Sequence, residues 1–403
     1  MDVEALKIAV CAEVDRLADQ LLHASHEIHA HPELNFEEHF AHDLLVDQLR
    51  SAGLDTTPHA YGVDTAFEAA VGDATSSPDG FSVAVLCEYD ALPGIGHACG
   101  HNVIATAGLG AGLAAAVVAG EAGGILRIMG TPAEEGGGGK IEMARRGAFE
   151  NVGAAMMVHP ADADLISMDT VALQELHVQY HGKAAHAAAA PWDGRNALDA
   201  AVLGYMNIAA MRQHIRPTER IHGVFTKGGD KANIVPAETA MEWIVRSQTI
   251  ESLQPLKHRV LTALESAATA CACTIDSEWH GHTYSDMIDN GPMVAAYVGN
   301  AARVGRTVVD PAAVGRRVVG STDMGNISYL VPSIHPMIKV AADGVAIHTV
   351  EFAEWARSPD GDKAVLDGAK SMAMTIVDLW TSADLRRAAT AAFAERPSSV
   401  EVL

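Results

Sequence analysis

The stretch FSVAVLCEYDALPGIGHACGHN (81–102) joins an uninterrupted apolar run to a loop rich in acids, histidines and glycine. A short apolar run without alternation is typical of a strand that is buried on both faces of a sheet. Two similar runs follow, ILRIM (125–129) and AAMMV (154–158), and segments with helical character lie between them at 102–119 and 140–149. This alternation of strands and helices predicts an α/β domain with a mostly parallel sheet.

A different pattern begins near residue 172. The segments that follow are predicted to run in the order β-α-β-β-α-β, which is that of the ferredoxin-like unit, a module able to form its own domain. We therefore expect an α/β domain built from residues 1–171 and 286–403, interrupted by an inserted ferredoxin-like α+β domain at 172–285. The strands and helices predicted for the insert are 173–180, 196–211, 221–226, 240–247, 250–270 and 271–280.

The charge of the chain is strongly negative, because 28 lysines and arginines stand against 51 aspartates and glutamates, which gives a net charge of −23 over 403 residues. This sign disfavours a surface that binds nucleic-acid phosphates or anionic lipid. A hydrophobic content of 49% excludes a disordered chain, which would lack the apolar residues for a core. We therefore expect a folded protein whose partners are neither nucleic acid nor membrane.

Two apolar stretches bear on the location of the protein. The first 22 residues carry acids throughout and place apolar residues at helical spacing, so they predict an amphipathic helix rather than a signal peptide. Residues 103–120 contain no charge, but they are mostly alanine and glycine, which favours a buried helix over a membrane span. Both interpretations lead us to expect a cytoplasmic protein.

Polar side chains with metal-binding chemistry follow each of the three apolar runs. Cys99 and His101 come after the first run, Glu134 and Glu135 after the second, and His159 directly after the third. Because the carboxyl ends of parallel strands meet at one edge of a sheet, we expect these side chains to lie together. Thiolate, imidazole and carboxylate suit zinc, and manganese or cobalt can use a similar set. In a pair of adjacent carboxylates one can bind metal while the other moves a proton, so the pattern predicts a metal-dependent hydrolytic site.

Several motifs, spread over nearly the whole chain, carry a resemblance to a known family. They are EYDALPGIGHACGHN (88–102), TPAEEGGGGK (131–140), VHP (158–160), GKAAHAAAAPWDGRNALDA (182–200), NIVP (233–236), GSTDMGN (320–326) and AIHTVEF (346–352). They resemble the aminoacylase and carboxypeptidase-G type of metallopeptidases, peptidase family M20, in its amidohydrolase branch. The variants at 88–90, 102 and 321–326 look closest to aminobenzoyl-glutamate hydrolases and dipeptidase-like members. The resemblance implies a catalytic α/β domain interrupted by a ferredoxin-like lid that mediates dimerisation.

The resemblance also implies a site for two divalent metal ions per subunit, zinc or manganese, with cobalt as a further option. Glu134 would be the general acid/base, and Asp90 would hold a ligand imidazole in its tautomer. Cys99 would bridge the two ions. The implied metal ligands are Cys99, His101, Glu135, His159 and His348.

Three residues of the lid complete the implied site. His186 resembles the histidine that reaches across a dimer to stabilise the oxyanion, and Asn233 and Arg246 match positions that bind the substrate's carbonyl and carboxylate. We therefore expect a homodimer formed through the lid, with His186 acting in the neighbouring subunit.

The function predicted from the residues and the resemblance is hydrolysis of the amide bond of a small N-acyl amino acid or dipeptide, such as an aminobenzoyl-glutamate-like substrate. The attack would come from a metal-bridging water, with Glu134 as general acid/base. Two alternatives stay open. Cys99 could instead be the nucleophile of a thiol amidase, activated by His97 or His101. The chain could also be a catalytically silent relative that binds metal or ligand.

Overall fold

The chain divides into two units in the computed structural model, which describes residues 1–72, 80–315, 319–397 and 402–403. Within the described residues, one unit comprises residues 1–169, 287–397 and 403, and the other comprises residues 170–286 and 402. We call the first the catalytic unit and the second the lid unit.

The elements follow chain order. Up to residue 170 they are α1 (Val3–Arg16), α2 (Ala18–Ala30), α3 (His39–Ser51), β1 (Asp55–Pro58), β2 (Phe67–Val71), β3 (Ser82–Cys87), α4 (His101–Ala116), α5 (Ala119–Ala122), β4 (Ile125–Gly130), α6 (Gly139–Arg145), β5 (Ala154–Met156), β6 (His159–Ala161) and β7 (Asp169–Thr170). The lid unit contains β8 (Ala172–His181), α7 (Ala197–Met211), β9 (Arg220–Lys227), β10 (Glu238–Ser247), α8 (Ile250–Ala270) and β11 (Thr274–Tyr284). The last elements are α9 (Gly291–Arg303), β12 (Val319–Gly320), α10 (Met324–Ser328), β13 (Ser333–Ile334), β14 (Met337–Lys339), α11 (Val350–Ala356), α12 (Pro359–Thr381) and α13 (Ala383–Ala394).

The three apolar runs of the sequence form the centre of a six-stranded sheet in the catalytic unit. Its strand order is β1-β2-β4-β3-β5-β13. Strand β3 pairs in parallel with β4 and β5, and β5 pairs in parallel with β13, while β1 and β2 add an antiparallel edge. Every residue of β3 is buried, as its uninterrupted apolar sequence requires. The prediction of an α/β fold with a mostly parallel sheet is confirmed.

Helix α4 contains most of the charge-free stretch 103–120, for which the sequence allowed a buried helix or a membrane span. Its residues are buried from His101 to Ala115, and it packs against β3. The approach is close because the helix has glycines on that side: a Cβ on Gly108 would lie 2.6 Å from the carbonyl oxygen of Leu86 and 2.8 Å from Cys87 Sγ. The prediction of a buried helix is confirmed. No helix in the described part of the chain has the length and apolarity needed to cross a membrane.

The lid unit has the element order and sheet of a ferredoxin-like fold. Its four strands are ordered β11-β8-β10-β9, and every pairing is antiparallel. Strands β8 and β10 alternate strictly between buried and half-buried residues, so one face of the sheet packs on α7 and α8. The predicted fold class, an α/β unit interrupted by a ferredoxin-like insert, is confirmed.

One predicted strand of the lid begins three residues later than expected. Cys271 ends helix α8, Ala272 has a left-handed backbone with φ +52°, and the amide of Cys273 donates to the carbonyl of Ala268 at 2.9 Å. The segment 271–273 is therefore the reversal that follows the helix, and the strand starts at Thr274. The apolar cysteines and alanine look like strand residues in the sequence, but the chain has to turn before it can pair with β8.

Candidate metal centre

The three strand ends bring the sequence-predicted donors of the catalytic unit together. The side chains of Cys99, His101 and His159 are buried, and their donor atoms all lie within 4.8 Å of one another. Cys99 Sγ lies 3.4 Å from His159 Nε2. Gly100 makes this possible, because it takes a left-handed φ of +78° and lets helix α4 begin at His101, only two residues after the cysteine.

A second group of donors shares Cys99 with the first. Cys99, Glu135 and His348 also have donor atoms within 4.8 Å of one another. His348 Nε2 lies 3.3 Å from Glu135 Oε1. The imidazole is held there by its own backbone, since His348 has φ +63° and donates its amide hydrogen to the carbonyl of Ala98 at 2.8 Å. Cys99 thus stands between two sets of donors.

The paired glutamates complete the cluster from the end of β4. Glu134 and Glu135 form a third group of donors with His101. The Nε2 atom of His101 lies 3.9 Å from Glu134 Oε2, 3.8 Å from Glu135 Oε1 and 3.7 Å from Glu88 Oε2. These distances are too long for hydrogen bonds.

The donors fit a divalent metal ion. His101 Nε2 is buried and has no hydrogen-bond partner among the described residues, which is costly unless another group satisfies it. A thiol, imidazoles and carboxylates that converge on one small volume are the donors that zinc and related ions prefer. We therefore identify Cys99, His101, Glu135, His159 and His348 as the residues able to hold metal.

The two buried histidines of the cluster are held by the same ring nitrogen, Nδ1. Nδ1 of His101 lies 3.1 Å from Asp90 Oδ1, and Nδ1 of His159 lies 2.8 Å from the carbonyl oxygen of Pro160. Both partners are acceptors, so each ring donates from Nδ1 and turns Nε2 toward the cluster. Asp90 also accepts the amide hydrogen of Glu135 at 3.0 Å. Asp90 thereby ties the loop after strand β4 to His101.

Burial and negative charge set the electrostatics of the cluster. Burial raises the pKa of Glu134 well above its ordinary value, and the charges of Glu88 and Glu135 raise it further. Burial also raises the pKa of the Cys99 thiol well above its ordinary value, with Glu135 adding to the shift. A high thiol pKa disfavours the thiolate that a nucleophilic cysteine needs, whereas a bound cation would stabilise that thiolate.

The sequence did not reveal a buried ion cluster beside the donors. Lys140 is fully buried, and its Nζ lies 2.7 Å from Asp323 Oδ1 and forms a second ion pair with Glu88. The backbone amide of Lys140 donates to Asp323 Oδ2 at 2.9 Å. The sequence shows Lys140 only as a lysine at the end of a glycine run, five residues after the glutamate pair. That position gives no hint of its acidic partners.

The predicted lid residues lie in the lid unit, and two of them are brought together. His186 is exposed, and its Nδ1 accepts the amide hydrogens of Ala188 and Ala189, each at 3.2 Å. The amide of Ala187 donates to the carbonyl of Asn233 at 3.1 Å, so the loops that carry the two residues are joined.

Arg246 lies apart from that pair, on β10, where its cross-strand neighbours are Leu173 and Arg220. Its side chain is half-buried, and burial lowers its pKa. Within the described residues its guanidinium forms no ion pair and no hydrogen bond. It is a cation in a partly desolvated position that could accept an anionic partner.

Comparison with known proteins places this geometry in a family. The profile of peptidase family M20/M25/M40 matches residues 84–376, which span both units. The chain belongs to this peptidase family. The M20 chain is 40% identical to the Xaa-Arg dipeptidase of Mus musculus over 388 residues, which cover 94% of the chain and 90% of that enzyme. It is 30% identical over 431 residues to one of the subunits of the p-aminobenzoyl-glutamate hydrolase of Escherichia coli, with 89% of each covered.

Solved structures show the same fold. A dinuclear metal-binding M20 peptidase from Bacillus subtilis superposes with a TM-score of 0.70 at 18% identity, covering 91% of this chain and 99% of that one. The aminobenzoyl-glutamate utilization protein of Klebsiella pneumoniae superposes with a TM-score of 0.69 at 20% identity, covering 91% and 98%. The predictions of family membership and of a metal-dependent hydrolase of amide or peptide bonds are confirmed.

A substitution at Asp90 tests the way the metal donors are held. We expect Asp90→Asn to weaken metal binding by about 10–100-fold. The uncharged asparagine side chain is a weaker acceptor for His101 Nδ1 and no longer fixes the tautomer of that ring as firmly. Competition of the purified protein with a chromophoric chelator measures this affinity. Asp43→Asn, which changes an exposed carboxylate of α3, is the matched control. Equal affinity in the Asp90 and Asp43 variants would show that Asp90 does not organise the donors.

Proposed function

We propose that this M20 peptidase hydrolyses the amide bond of a dipeptide or of another small N-acyl amino acid. The observation that carries the proposal is the placement of Glu134, a buried carboxyl group with a raised pKa, beside a cluster of metal donors. The names of the two relatives support the substrate class. Both Xaa-Arg dipeptidase and p-aminobenzoyl-glutamate hydrolase are named for compounds with an amino acid on one side of the amide bond.

We infer that the cluster holds two divalent ions, zinc or manganese, with cobalt as an acceptable replacement. The two donor groups that share Cys99 support this number, and so does the dinuclear site named for the Bacillus subtilis structure. Such ions supply Lewis acidity, which polarises the scissile carbonyl and lowers the pKa of the attacking water. The carboxylates around the donors also favour the binding of cations at this cluster.

Glu134 is the residue that moves the proton in this proposal. Its carboxylate takes the proton of the attacking water and delivers it to the nitrogen of the leaving amine. The raised pKa suits both steps, because it makes the carboxylate a stronger base toward water and lets the carboxyl group keep the proton until the amine takes it. Its neighbour Glu135 remains with the metal donors.

The lid residues bind the substrate in this proposal. Arg246 pairs with the free carboxylate of the substrate, and Asn233 bonds its carbonyl. His186 stabilises the oxyanion of the tetrahedral intermediate. The hydrogen bonds at His186 Nδ1 support that role: since Nδ1 accepts two amide hydrogens, Nε2 carries the proton and can donate it to a developing negative charge.

We further propose that the enzyme is a homodimer joined through the lid, with His186 serving the partner's site. Strand β9 is an edge of the lid sheet, and Val224 and Phe225 on it are exposed. Helix α7 adds exposed Val202 and Met206. An apolar edge strand of this kind favours pairing with a second copy across a two-fold axis.

The first test concerns the proton carrier. We expect Glu134→Gln to lower kcat by about 10²–10⁴-fold, because the amide cannot accept or deliver the proton. Metal content per subunit, measured by elemental analysis, should stay unchanged because Glu135 and the histidines remain. Glu121→Gln, an exposed change on α5, controls for the loss of one carboxylate. Turnover of a dipeptide panel at the unchanged rate in Glu134→Gln would remove Glu134 from the reaction.

The second test concerns recognition of the substrate's carboxylate. We expect the enzyme to prefer a dipeptide over its C-terminal amide, and we expect Arg246→Met to abolish most of this preference. The loss in kcat/KM for the free acid should be about 10–100-fold, since a hydrogen bond to a charged group contributes about 1.5–3 kcal/mol. Arg259→Met, an exposed change on α8, is the control. A preference that survives in Arg246→Met would assign the carboxylate to another residue.

The third test concerns the shared site. His186→Ala and Glu134→Gln subunits should each be nearly inactive as homodimers. If His186 acts in the partner's site, a mixed dimer has one site with both residues intact. We therefore expect activity to return when the two variants exchange subunits, which native mass spectrometry can verify. Mixed dimers that form but remain inactive would contradict the proposed role of His186 across the dimer.

A further inference from the structure

The carboxyl group of Glu38 lies buried beneath the loop that carries the glutamate pair. Its side chain is fully inaccessible to solvent. Glu38 Oε1 accepts the backbone amide hydrogen of Ala133 at 2.9 Å, and Oε2 accepts the hydroxyl hydrogen of Thr65 at 2.8 Å. Glu38 precedes helix α3 and is 95 residues from Ala133 in sequence, so this contact depends on the tertiary fold. Through this contact Glu38 bonds the backbone of Ala133, the residue directly before Glu134.

Ala133 has a backbone conformation that needs such support. Its φ is +57°, and a left-handed residue with a Cβ costs about 1–2 kcal/mol relative to a right-handed one. The loop that follows depends on this conformation, because the carbonyl of Ala133 accepts the amide hydrogens of Gly137 at 3.1 Å and Gly139 at 3.3 Å. A Cβ on Gly137 would lie only 2.6 Å from the Cβ of Ala133. A right-handed Ala133 would therefore redirect the whole turn.

Two buried acidic side chains hold the backbone on either side of Glu134. Glu38 accepts the amide hydrogen of Ala133, and Asp90 accepts that of Glu135 at 3.0 Å. The residue between these two anchors has its backbone fixed from both ends. Asp90 was expected from the sequence, whereas Glu38 has no part in the chemistry described above.

We propose that Glu38 is a positioning residue, which aims the carboxyl group of Glu134 by fixing the left-handed conformation of Ala133. The proposal rests on the proposed role of Glu134 as proton carrier. It requires a hydrogen-bond acceptor at position 38 and no negative charge. Burial, with a further contribution from the charge of Asp90, raises the pKa of Glu38 to about 7, so a neutral side chain of the same shape is compatible with the site.

The decisive comparison is between Glu38→Ala and Glu38→Gln. We expect Glu38→Ala to lower kcat by ~10²-fold with little change in KM, since small misplacements of a catalytic group have effects of this size. Metal content should remain that of the wild type. Glu38→Gln keeps an acceptor for Ala133 and a partner for Thr65, so it should retain most of the wild-type kcat. A Gln variant as impaired as the Ala variant would overturn the proposal.

Hydrogen exchange gives a readout that does not depend on activity. In Glu38→Ala the amides of the segment 131–137 should exchange faster than in the wild type, while those of β3 remain protected. Thr65→Val is the matched control, because it removes the other hydrogen bond of Glu38 at an equally buried position and leaves the contact with Ala133. It should lower thermal stability to a similar extent but reduce kcat much less than Glu38→Ala.

A double-mutant cycle separates this inference from the proposed function. If Glu38 acts through Glu134, then Glu38→Ala in the Glu134→Gln background should cause almost no further loss of kcat. A full ~10²-fold additional loss would show that Glu38 acts by another route. If Glu134→Gln itself is fully active, the proposed function fails first. Should Glu38→Ala not fold, Glu38→Asp, which is one methylene too short to bridge Ala133 and Thr65, takes its place with the same expected losses.

Discussion

The organising constraint of this enzyme is the need to keep many negative charges together in a buried volume. Glu134 and Glu135 lie near three further carboxylates, two that follow strand β3 and one directly before helix α10, where burial makes each charge costly. Lys140 is the one lysine or arginine that is fully buried within the described residues, and it is already paired with two of these acids. The negative charge that Lys140 does not neutralise favours the binding of cations from solution. The three other carboxylates in this cluster are Glu88, Asp90 and Asp323.

This constraint explains why the site is built so rigidly. Groups that repel one another would separate unless the scaffold prevented it, so each acid is fixed by elements of the core. Helix α4 packs closely on strand β3 at Gly108, where a Cβ would clash with the backbone of β3. The donors Cys99 and His101 lie in the segment that joins this strand to this helix. Metal ions that bind here would also stabilise the fold, because their binding free energy adds to that of folding. Metal affinity and stability should therefore change together in Asp90→Asn, which alters how the donor His101 is held.

The parts of the fold that the sequence predicted are those determined locally. Short continuous apolar runs are typical of strands with two buried faces, and a charge-free run of alanine and glycine favours a tightly packed helix. Cys99, His101, Glu134, Glu135 and His159 could be found because they lie in the segments that follow these strands, whereas His348 was expected only from the family resemblance. The edge strands β1 and β2 were not predicted, since they are short and mix exposed with buried residues. Helix α3 was not predicted either, although its buried residues recur at helical spacing.

The residues that the sequence did not reveal depend on contacts between distant segments. Lys140 and Asp323 are 183 residues apart, and Glu38 and Ala133 are 95 apart. Nothing in the local sequence of either pair indicates its partner. The same holds for backbone conformation: Ala133 and His348 both take left-handed φ values beside the donors, yet alanine and histidine carry no signal for that region as glycine does.

These left-handed residues connect the fold to the chemistry. A strained backbone persists only where surrounding contacts hold it, and here each of the two residues is held by a hydrogen bond from its own amide. One of them directs the glutamate pair and the other presents an imidazole to the same cluster. The strained backbones of Ala133 and His348 are therefore part of what brings donors from separate parts of the chain together. A relaxed backbone at either position would remain folded locally but would point a donor away from the centre.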